Sequence, residues 1–461
     1  MSEEIIFFDI RALRDQIVRR EISPVQVVDV LLDRIERLNP RLNAYLSISE
    51  QAREEARKAE QAVVQRRELG LLHGIPFSIK DLLLTRELPT TAGSKIFGSG
   101  LTSEEDAAAV SLLKKAGGIL IGKVHLHECA FGVTNENAHF GPARNPWDLE
   151  RVTGGSSGGS AGSVAGGLAY ASLGTDTRGS VRIPSACCGL TGLKPTLNLI
   201  PTFGLLPLSE SLDHIGPMCR SVEDVAVVLQ AVASGSKEGS DYIQASQAQP
   251  NRIKLGFAEY YFRDVDPEIE AAVRQTMALL EESGLAIREI EIPGIEEVLE
   301  ASRVIAGVEA LANHDFNLRS QPQSYDPAVR ERLEQCRDIS ALQYLQARQK
   351  KAAITREFEG VFARVDCLIA PALPAFPPPI GQTYLEINGR REHVVQGFCR
   401  LNAAQNMAGI PALVLPCGFS RTGLPIGLQL IAASNREPIL LSLGSHYQRL
   451  TGWHRRHART R

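Results

Sequence analysis

Three segments of this 461-residue chain carry residues that could together activate a serine hydroxyl. Lys80 lies in the apolar segment GIPFSIKDLLL, Ser156 in the run RVTGGSSGGSAGSVAGG, and Ser180 in GTDTRGSVRIP. A lysine buried among apolar groups has a lowered pKa, and its neutral amine can serve as the base for a serine nucleophile. Glycines beside Ser180 permit a tight turn whose backbone N–H groups could converge on an oxyanion. The three segments together indicate acyl transfer through a serine.

The glycine- and serine-rich run admits other interpretations. A flexible linker is disfavoured because residues 161–173 are small and apolar, as in a packed helix. A phosphate-binding loop is disfavoured because no lysine follows the glycines in the G-x-x-x-x-G-K-[ST] pattern. G-x-S-x-G occurs at residues 154–158, but the preceding NPWDLERVT does not predict the strand that a nucleophile elbow requires. Whether a histidine base lies nearby stays open at this point.

Each catalytic candidate also has a simpler interpretation when it is taken alone. Lys80 fits a solvated lysine at the end of a strand, and Ser180 fits an ordinary loop residue. His125 and His127 suggest a metal pair, but they lack the H-E-x-x-H spacing and a third ligand at suitable spacing, so we predict no metal site. The eight cysteines form no C-x-x-C pair and are expected to be reduced and buried.

The elements that position these residues alternate between helix and strand. Residues 23–40 predict a helix with a capping box at Ser23 and Gln26 and a stop at Pro40. Pro76–Lys80 predicts a short buried strand that leads into a loop, and residues 411–432 predict two strands joined by a turn. This alternation indicates an α/β protein whose mostly parallel sheet is covered on both faces.

Composition and charge exclude several classes of function. The formal net charge is −3, and the one prominent basic block is the C-terminal RRHARTR, which fits a solvated tail, so no nucleic-acid partner is expected. No stretch approaches the length of a membrane span, and the acidic start MSEEIIFFDIRALRD does not fit a secretory signal. We therefore expect no membrane association and a cytoplasmic location.

Taken together, GIPFSIKD, GGSSGGSAGSVAGG and GTDTRGSVRIP closely resemble the amidase signature family of serine hydrolases, which use a Ser–Ser–Lys triad. The similarity extends over nearly the whole chain through HECAFG, CGLTGLKPT, SLDHIGP and LPIGLQLI. It implies the family's α/β fold, in which a large twisted mixed β-sheet lies between α-helices. It also implies a single domain, with N-terminal helices over residues 1–70, the signature core over 71–220 and a variable substrate-covering region over 296–400.

The resemblance assigns roles by matching position. Ser180 would be the nucleophile, Ser156 the bridging serine on a cis peptide bond, and Lys80 the base. The oxyanion hole would be formed by the backbone N–H groups of Thr177, Arg178, Gly179 and Ser180. Substrate contact or support of the catalytic loops would come from Phe131, Gly132, Gly155, Ser157 and Asp176. No cofactor is implied.

Arg178 departs from the glycine that is frequent at this position in the family. Arginine tolerates a positive φ poorly, so we expect either a negative φ or local strain. The guanidinium could face an acidic group on the substrate or the protein, but a structural role with the side chain directed away from the site is preferred.

The resemblance implies hydrolysis of the C–N bond of a small-molecule carboxamide, with the amide and water as partners. Esters and carbamates are additional substrates, and a homodimer is left open. The main alternative is the glutaminase (A) subunit of a tRNA-dependent amidotransferase. It is disfavoured because the tyrosine-rich glutamine-binding segment expected after SLDHIGP is not found. A hydrolase of biuret- or allophanate-type ureido compounds is another alternative. A non-catalytic binding subunit is the last, and the retention of Lys80, Ser156 and Ser180 argues against it.

Overall fold

The structure is a computed structural model that describes residues 3–234, 240–250 and 252–458, so the last residues of the basic tail lie outside it. The helices of the described chain surround a central sheet. They are α1 (Ile10–Val18), α2 (Pro24–Leu42), α3 (Ala52–Val64), α4 (Ala108–Lys115), α5 (Gly158–Ala165), α6 (Arg182–Cys188), α7 (Val222–Val232), α8 (Tyr242–Gln247), α9 (Pro267–Glu282), α10 (Val298–Ser320), α11 (Pro327–Gln335), α12 (Ala341–Phe362), α13 (Val394–Arg400), α14 (Ala403–Ala408) and α15 (Glu437–Thr451).

The strands form one large sheet and two small hairpins. In chain order they are β1 (Tyr45–Ile48), β2 (Pro76–Lys80), β3 (Ile119–Val124), β4 (Arg144–Asn145), β5 (Asp148–Val152), β6 (Ala171–Asp176), β7 (Thr191–Lys194), β8 (His214–Cys219), β9 (Lys254–Phe257), β10 (Ala286–Glu289), β11 (Cys367–Pro371), β12 (Tyr384–Ile387), β13 (Arg390–His393), β14 (Ala412–Phe419) and β15 (Pro425–Ala432). The large sheet has 11 strands in the order β1-β3-β2-β6-β8-β7-β14-β15-β11-β9-β10. The hairpins are β4-β5 and β12-β13.

The large sheet is mixed, and its centre is antiparallel. β2 runs parallel to β3 and β6, and β9 runs parallel to β10 and β11. Between these two parallel segments, β8, β7, β14 and β15 pair in antiparallel fashion, and the edge strand β1 is antiparallel to β3. The prediction of an α/β fold with a large mixed sheet between helices is confirmed, and so is the pair of strands over residues 411–432. The mostly parallel sheet suggested by alternation alone is wrong at the centre, where tight connections such as the one between β14 and β15 reverse the chain.

The central strands are buried along their whole length. Every residue of β2, β3, β6, β7, β8 and β11 is buried. Helices cover both faces of such a sheet, so its strands read as continuous apolar runs rather than as alternating patterns. Polar groups on these strands are therefore removed from water, and Lys80 at the end of β2 is one of them. None of the described helices is long and apolar enough to cross a membrane.

α2 shows how local signals set the ends of an element. The capping box is present, with the Ser23 hydroxyl accepting from the first turn and the Gln26 side chain accepting from the Ser23 N–H. The predicted stop at Pro40 is wrong by two residues, because the helix continues to Leu42. Proline cannot donate a hydrogen bond, but its own φ is helical, so the chain beyond it can complete the turn. The helix ends where Asn43 adopts a left-handed conformation and donates to the Asn39 carbonyl at 2.7 Å. The subdivision into residues 1–70, 71–220 and 296–400 stays a prediction.

Candidate active site

Lys80 is placed at the buried end of β2 with its amine against two hydroxyl groups. The Nζ atom lies 2.6 Å from Oγ of Ser156 and 2.8 Å from Oγ1 of Thr175, and the residue has no exposed surface. Burial lowers the pKa of Lys80 to about 7, although the carboxylates of Asp213 and Asp176 oppose this shift. A substantial fraction of the amine is therefore neutral near pH 7. The interpretation of Lys80 as a solvated lysine is wrong, because the sheet buries the end of this strand.

Ser156 lies in the turn that connects β5 to α5. The peptide bond between Gly155 and Ser156 is cis, and the Ser156 carbonyl accepts from the His127 N–H at 3.1 Å. A Cβ on Gly155 would lie 2.9 Å from the backbone nitrogen of Asn135, so a side chain there would displace the neighbouring chain. β5 corrects the expectation that NPWDLERVT forms no strand. This strand belongs to a small hairpin that is only partly buried, which explains why its sequence lacks an apolar signature.

Ser180 and Ser156 are brought together through Ser157. The backbone N–H of Ser157 donates to the Ser180 carbonyl at 3.2 Å. The Ser157 hydroxyl donates to the carbonyl of Thr175 at 3.1 Å and accepts from the N–H of the same residue at 3.1 Å. Ser157 thus ties the turn of Ser156 to the end of β6 and to the loop of Ser180. Within the described chain no hydrogen bond joins the Ser156 and Ser180 hydroxyls, so direct proton transfer between them belongs to the proposal below.

The loop before Ser180 curls around the carboxylate of Asp176. This carboxylate accepts from the N–H of Gly179 at 2.8 Å and from that of Val181 at 3.1 Å, while Gly179 adopts a φ of 117° that disfavours any side chain. The Gly179 N–H, predicted as an oxyanion donor, shapes this turn instead of standing free. The N–H groups of Thr177, Arg178 and Ser180 have no acceptor among the described residues and are available for an oxyanion.

A buried ion pair fixes this loop to the rest of the sheet. Arg182 contacts Asp176 through Nε at 3.0 Å and Nη2 at 3.1 Å, and both side chains are fully buried. Arg182 also donates to Asn406 at 2.6 Å and to Gln429 at 2.8 Å. Burial alone would raise the pKa of Asp176, but the Arg182 guanidinium holds it well below the usual range. The sequence analysis missed Arg182 and Asn406. The only local signal was an arginine within the otherwise apolar segment SVRIPSACC.

Replacing Asp176 by asparagine should destabilise the whole protein, because Arg182 would be left as a buried charge without a counterion. We expect the free energy of unfolding to fall by about 3–5 kcal/mol, measured by urea denaturation. Glu300→Gln is the control, since it removes an exposed partner of Arg303 on α10 and should cost less than about 1 kcal/mol. Equal midpoints for the two variants would contradict the assignment.

Arg178 has a side-chain partner 124 residues away in sequence. Its Nε donates to Oγ of Ser302 on α10 at 3.1 Å, and its φ is not in the left-handed region. The alternative of stored strain at Arg178 is therefore wrong, and the side chain extends from the loop at residues 177–180 toward Ser302 on α10.

Phe131 and Gly132 lie beside a second arginine. The Phe131 ring packs under the guanidinium of Arg332 on α11, 5.4 Å from its centroid. A Cβ on Gly132 would lie 2.2 Å from Nε2 of His127, so glycine lets this histidine approach. His127 in turn contacts Nη2 of Arg332 at 3.3 Å.

His125 and the cysteines have structural surroundings. Nδ1 of His125 lies 3.0 Å from Nδ2 of Asn135, and Nε2 lies 3.0 Å from the Gly141 carbonyl. No group of three or more potential metal ligands occurs among the described residues. All eight cysteines are free and buried, and burial raises the pKa values of Cys187 and Cys188, which keeps their thiols protonated.

Asp213 is a further buried carboxylate that sequence reasoning did not assign, although it lies within the SLDHIGP motif. It accepts from the Thr177 hydroxyl at 2.5 Å and from the N–H groups of Leu208 at 2.8 Å and Ser209 at 3.0 Å. Burial raises the pKa of Asp213 to about 6. Asp213 holds the start of the loop at residues 177–180 and raises the pKa of Lys80.

Known proteins are similar to this chain over nearly its whole length. The family model described as Amidase matches residues 26–441. The chain is 39% identical to the glutamyl-tRNA(Gln) amidotransferase (A) subunit of Roseiflexus sp. (strain RS-1), with 96% of each chain covered. A chain solved in a vestigial protein complex that bears on the origins of an s-triazine catabolic enzyme superimposes with a TM-score of 0.92 and 32% identity, over 96% of this chain and 99% of that one. The glutamyl-tRNA(Gln) amidotransferase (A) subunit from Thermotoga maritima gives a TM-score of 0.77 and 28% identity, over 95% and 93%. The chain therefore belongs to the amidase signature family of enzymes.

Proposed function

We propose that this chain hydrolyses a small carboxamide through an acyl-enzyme on Ser180. The observation that carries the proposal is the 2.6 Å contact between Nζ of Lys80 and Oγ of Ser156. It occurs in a buried site where the pKa of Lys80 falls to about 7. A lysine with that pKa supplies a base at neutral pH without a histidine.

The reaction begins when neutral Lys80 accepts the proton of Ser156 while Ser156 accepts that of Ser180. Oγ of Ser180 attacks the amide carbonyl, and the N–H groups of Thr177, Arg178 and Ser180 stabilise the oxyanion that forms. The protonated relay then gives its proton to the leaving nitrogen, and ammonia or an amine departs. Water attacks the acyl-enzyme with the same relay as base, which releases the carboxylic acid and restores Ser180. Esters and carbamates fit the same sequence of steps because only the leaving group differs.

A second candidate is the ammonia-releasing component of a tRNA-dependent amidotransferase. It is favoured by the curated relatives, which carry the name of the glutamyl-tRNA(Gln) amidotransferase (A) subunit at 37–39% identity. In that role the same relay would act on L-glutamine, and partner subunits would receive the ammonia. The other candidate is hydrolysis of a small amide or ureido compound by a free-standing amidase, in the cytoplasm and as a monomer or homodimer, and the curated relatives favour the amidotransferase role over it. Superposition with solved chains described as an amidase, at a TM-score of 0.88, and as 6-aminohexanoate cyclic dimer hydrolase, at a TM-score of 0.89, supports the free-standing amidase.

Labelling with a serine-directed fluorophosphonate tests the common chemistry. We expect one adduct per folded chain, mapped by peptide mass spectrometry to Ser180. Ammonia release from a panel of aliphatic, aryl and ureido amides and from L-glutamine then separates the two candidates. Preferential turnover of L-glutamine, together with co-purifying subunits, would favour the second candidate. A folded chain that takes no label would overturn the proposal in favour of a non-catalytic subunit.

A further inference from the structure

We propose that Glu309 on α10 is a positioning residue for the oxyanion donors that precede Ser180. It acts through Ser209 and Asp213 on Thr177, whose backbone N–H group has no acceptor among the described residues. The inference rests on the proposed hydrolysis at Ser180 and adds a residue, distant in sequence, on which the rate of that reaction depends.

The position of Thr177 depends on the loop that lies between β7 and β8. The Thr177 hydroxyl donates to Oδ1 of Asp213 at 2.5 Å. Oδ2 of Asp213 accepts from the N–H groups of Leu208 at 2.8 Å and Ser209 at 3.0 Å. Asp213 is buried, so its carboxylate needs these donors in place of water. A shift of Leu208 and Ser209 would therefore move Asp213 and, with it, Thr177.

Glu309 anchors this loop to α10 through Ser209 and Ser211. Oε2 of Glu309 accepts from the Ser209 hydroxyl at 2.6 Å and from the Ser211 N–H at 3.1 Å. Oε1 accepts from the Ser211 hydroxyl at 2.7 Å and from the Tyr344 hydroxyl on α12 at 2.9 Å. Burial raises the pKa of Glu309, but these hydrogen bonds together outweigh burial and lower it below its ordinary value. The carboxylate is therefore ionised at neutral pH, where it only accepts, and its hydrogen bonds are stronger than those between neutral groups.

Two further residues on the same face of α10 hold neighbouring parts of this arrangement. Oγ of Ser302 accepts from Nε of Arg178 at 3.1 Å, and Nδ2 of Asn313 donates to the Pro207 carbonyl at 3.3 Å. Ser302 lies two turns before Glu309 and Asn313 lies one turn after it, so the three side chains share one face of the helix. One helix therefore holds both the side chain of Arg178 and the loop before β8.

Accurate placement of the Thr177 N–H matters because the oxyanion exists only during the reaction. Donors stabilise it when they lie about 2.7–3.1 Å from the developing charge, and the loss of one such donor lowers kcat by roughly 10²- to 10³-fold. Glu309 acts through two intervening residues, so its removal should misplace a donor rather than delete it. The loss in kcat should therefore be smaller, and KM should change little because the ground state carries no oxyanion.

Glu309→Ala should lower kcat for the best amide by roughly 10- to 100-fold and change KM by less than about threefold. Glu309→Gln should recover most of the rate although it removes the charge. Its amide oxygen can accept from the Ser209 hydroxyl and the Ser211 N–H. Its NH₂ group then faces the hydroxyls of Ser211 and Tyr344, which can rotate to accept. If Glu309→Ala does not fold, Ser209→Ala, which deletes one hydroxyl of the link, should lower kcat by roughly 3- to 10-fold.

Asp315→Ala is the matched control, because it removes another carboxylate of α10. The partners of Asp315 are Arg319 and Arg337, both partly exposed, so we expect kcat per folded chain to stay within about threefold of the wild type. Equal kcat values for Glu309→Ala and Asp315→Ala would overturn the inference. So would a Glu309→Gln variant no faster than Glu309→Ala, because the effect would then depend on charge rather than on hydrogen bonds.

A double-mutant cycle tests whether Glu309 acts through Thr177. Thr177→Val removes the hydroxyl that donates to Asp213 and keeps the size of this buried side chain. If both substitutions interrupt one link, Thr177→Val/Glu309→Ala should be slower than the slower single variant by no more than about threefold. Losses that multiply would show that Glu309 acts by another route and would overturn the inference.

A measurement without turnover separates this inference from the proposed chemistry. NMR of the ¹⁵N-threonine-labelled protein reports the amide resonance of Thr177, which Thr177→Ser assigns. We expect this resonance to shift in Glu309→Ala and to stay in place in Asp315→Ala. The shift would support the positioning of this N–H by Glu309 even if the wild type took no fluorophosphonate label, in which case the proposed hydrolysis alone fails. An unshifted resonance would overturn the inference, and the proposed hydrolysis would still stand if the wild type is labelled at Ser180.

Discussion

Ser180→Ala should reduce kcat for the best amide by roughly 10⁴- to 10⁶-fold, because the acyl-enzyme can no longer form. The oxyanion donors and the substrate contacts remain in this variant, so a small rate above the uncatalysed reaction should persist. The variant should also lose the fluorophosphonate adduct in intact-mass spectra. Ammonia release under substrate saturation and the mass measurement test the role of the Ser180 Oγ atom independently.

Ser160→Ala is the matched control for this experiment. Ser160 is fully buried in the same glycine- and serine-rich run, and among the described residues its hydroxyl makes only a long contact of 3.4 Å with the Leu173 carbonyl. We expect it to keep both the adduct and the activity within about threefold, since a bond of that length contributes little. A labelled Ser180→Ala protein, or one that retains more than a few per cent of activity, would show that another serine is the nucleophile.

Lys80→Met should lower kcat/KM by roughly 10²- to 10⁴-fold and also remove a step from the pH profile. In the wild type, burial lowers the pKa of Lys80 to about 7, and only the neutral amine can accept a proton. Activity should therefore rise as the pH increases through about 7 and level off above it. The activity falls at lower pH because protonation of Lys80 removes the neutral amine that acts as the base.

The pH profile also distinguishes Lys80 from other groups that titrate nearby. Asp213, whose burial raises its pKa to about 6, would remain in Lys80→Met. A step that persisted in this variant would assign the profile to such a group and contradict the role of Lys80. Lys351→Met is the control, because burial lowers the pKa of Lys351 to about 8, but its Nζ donates to the Met407 carbonyl on α14 and makes no hydrogen bond to Ser156 or Ser180 among the described residues. Its profile should match that of the wild type.

Several features could be predicted from the sequence because they depend on residues that are close together in the chain. The cap of α2 depends on Ser23 and Gln26, which are three residues apart, and their side chains satisfy the first backbone N–H groups wherever the helix packs. The apolar residues on both sides of Lys80 in the chain suited a buried base, but Lys80 taken alone fitted a solvated lysine at a strand end, and the family resemblance was needed to choose between them. The motifs around Ser156 and Ser180 sufficed to indicate the family, since tight turns need their glycines locally.

Tertiary structure alone decided the partners of these residues. Asp176 and Arg182 are near neighbours in sequence, but Asn406, which completes their network, comes from α14, 230 residues beyond Asp176. The Gly179 N–H became a donor to Asp176, and Arg178 reached Ser302, because the folded loop brought these groups within bonding distance. β5 was not predicted because a strand in a partly buried hairpin does not require an apolar pattern. A sequence pattern indicates whether a residue prefers water or a local turn. It does not show which distant polar groups pair, because that pairing forms only when folding buries them and an unpaired buried polar group costs free energy. The sequence by itself therefore indicated the candidate catalytic residues, and the packing of distant segments determined which N–H groups before Ser180 are engaged and which have no acceptor among the described residues.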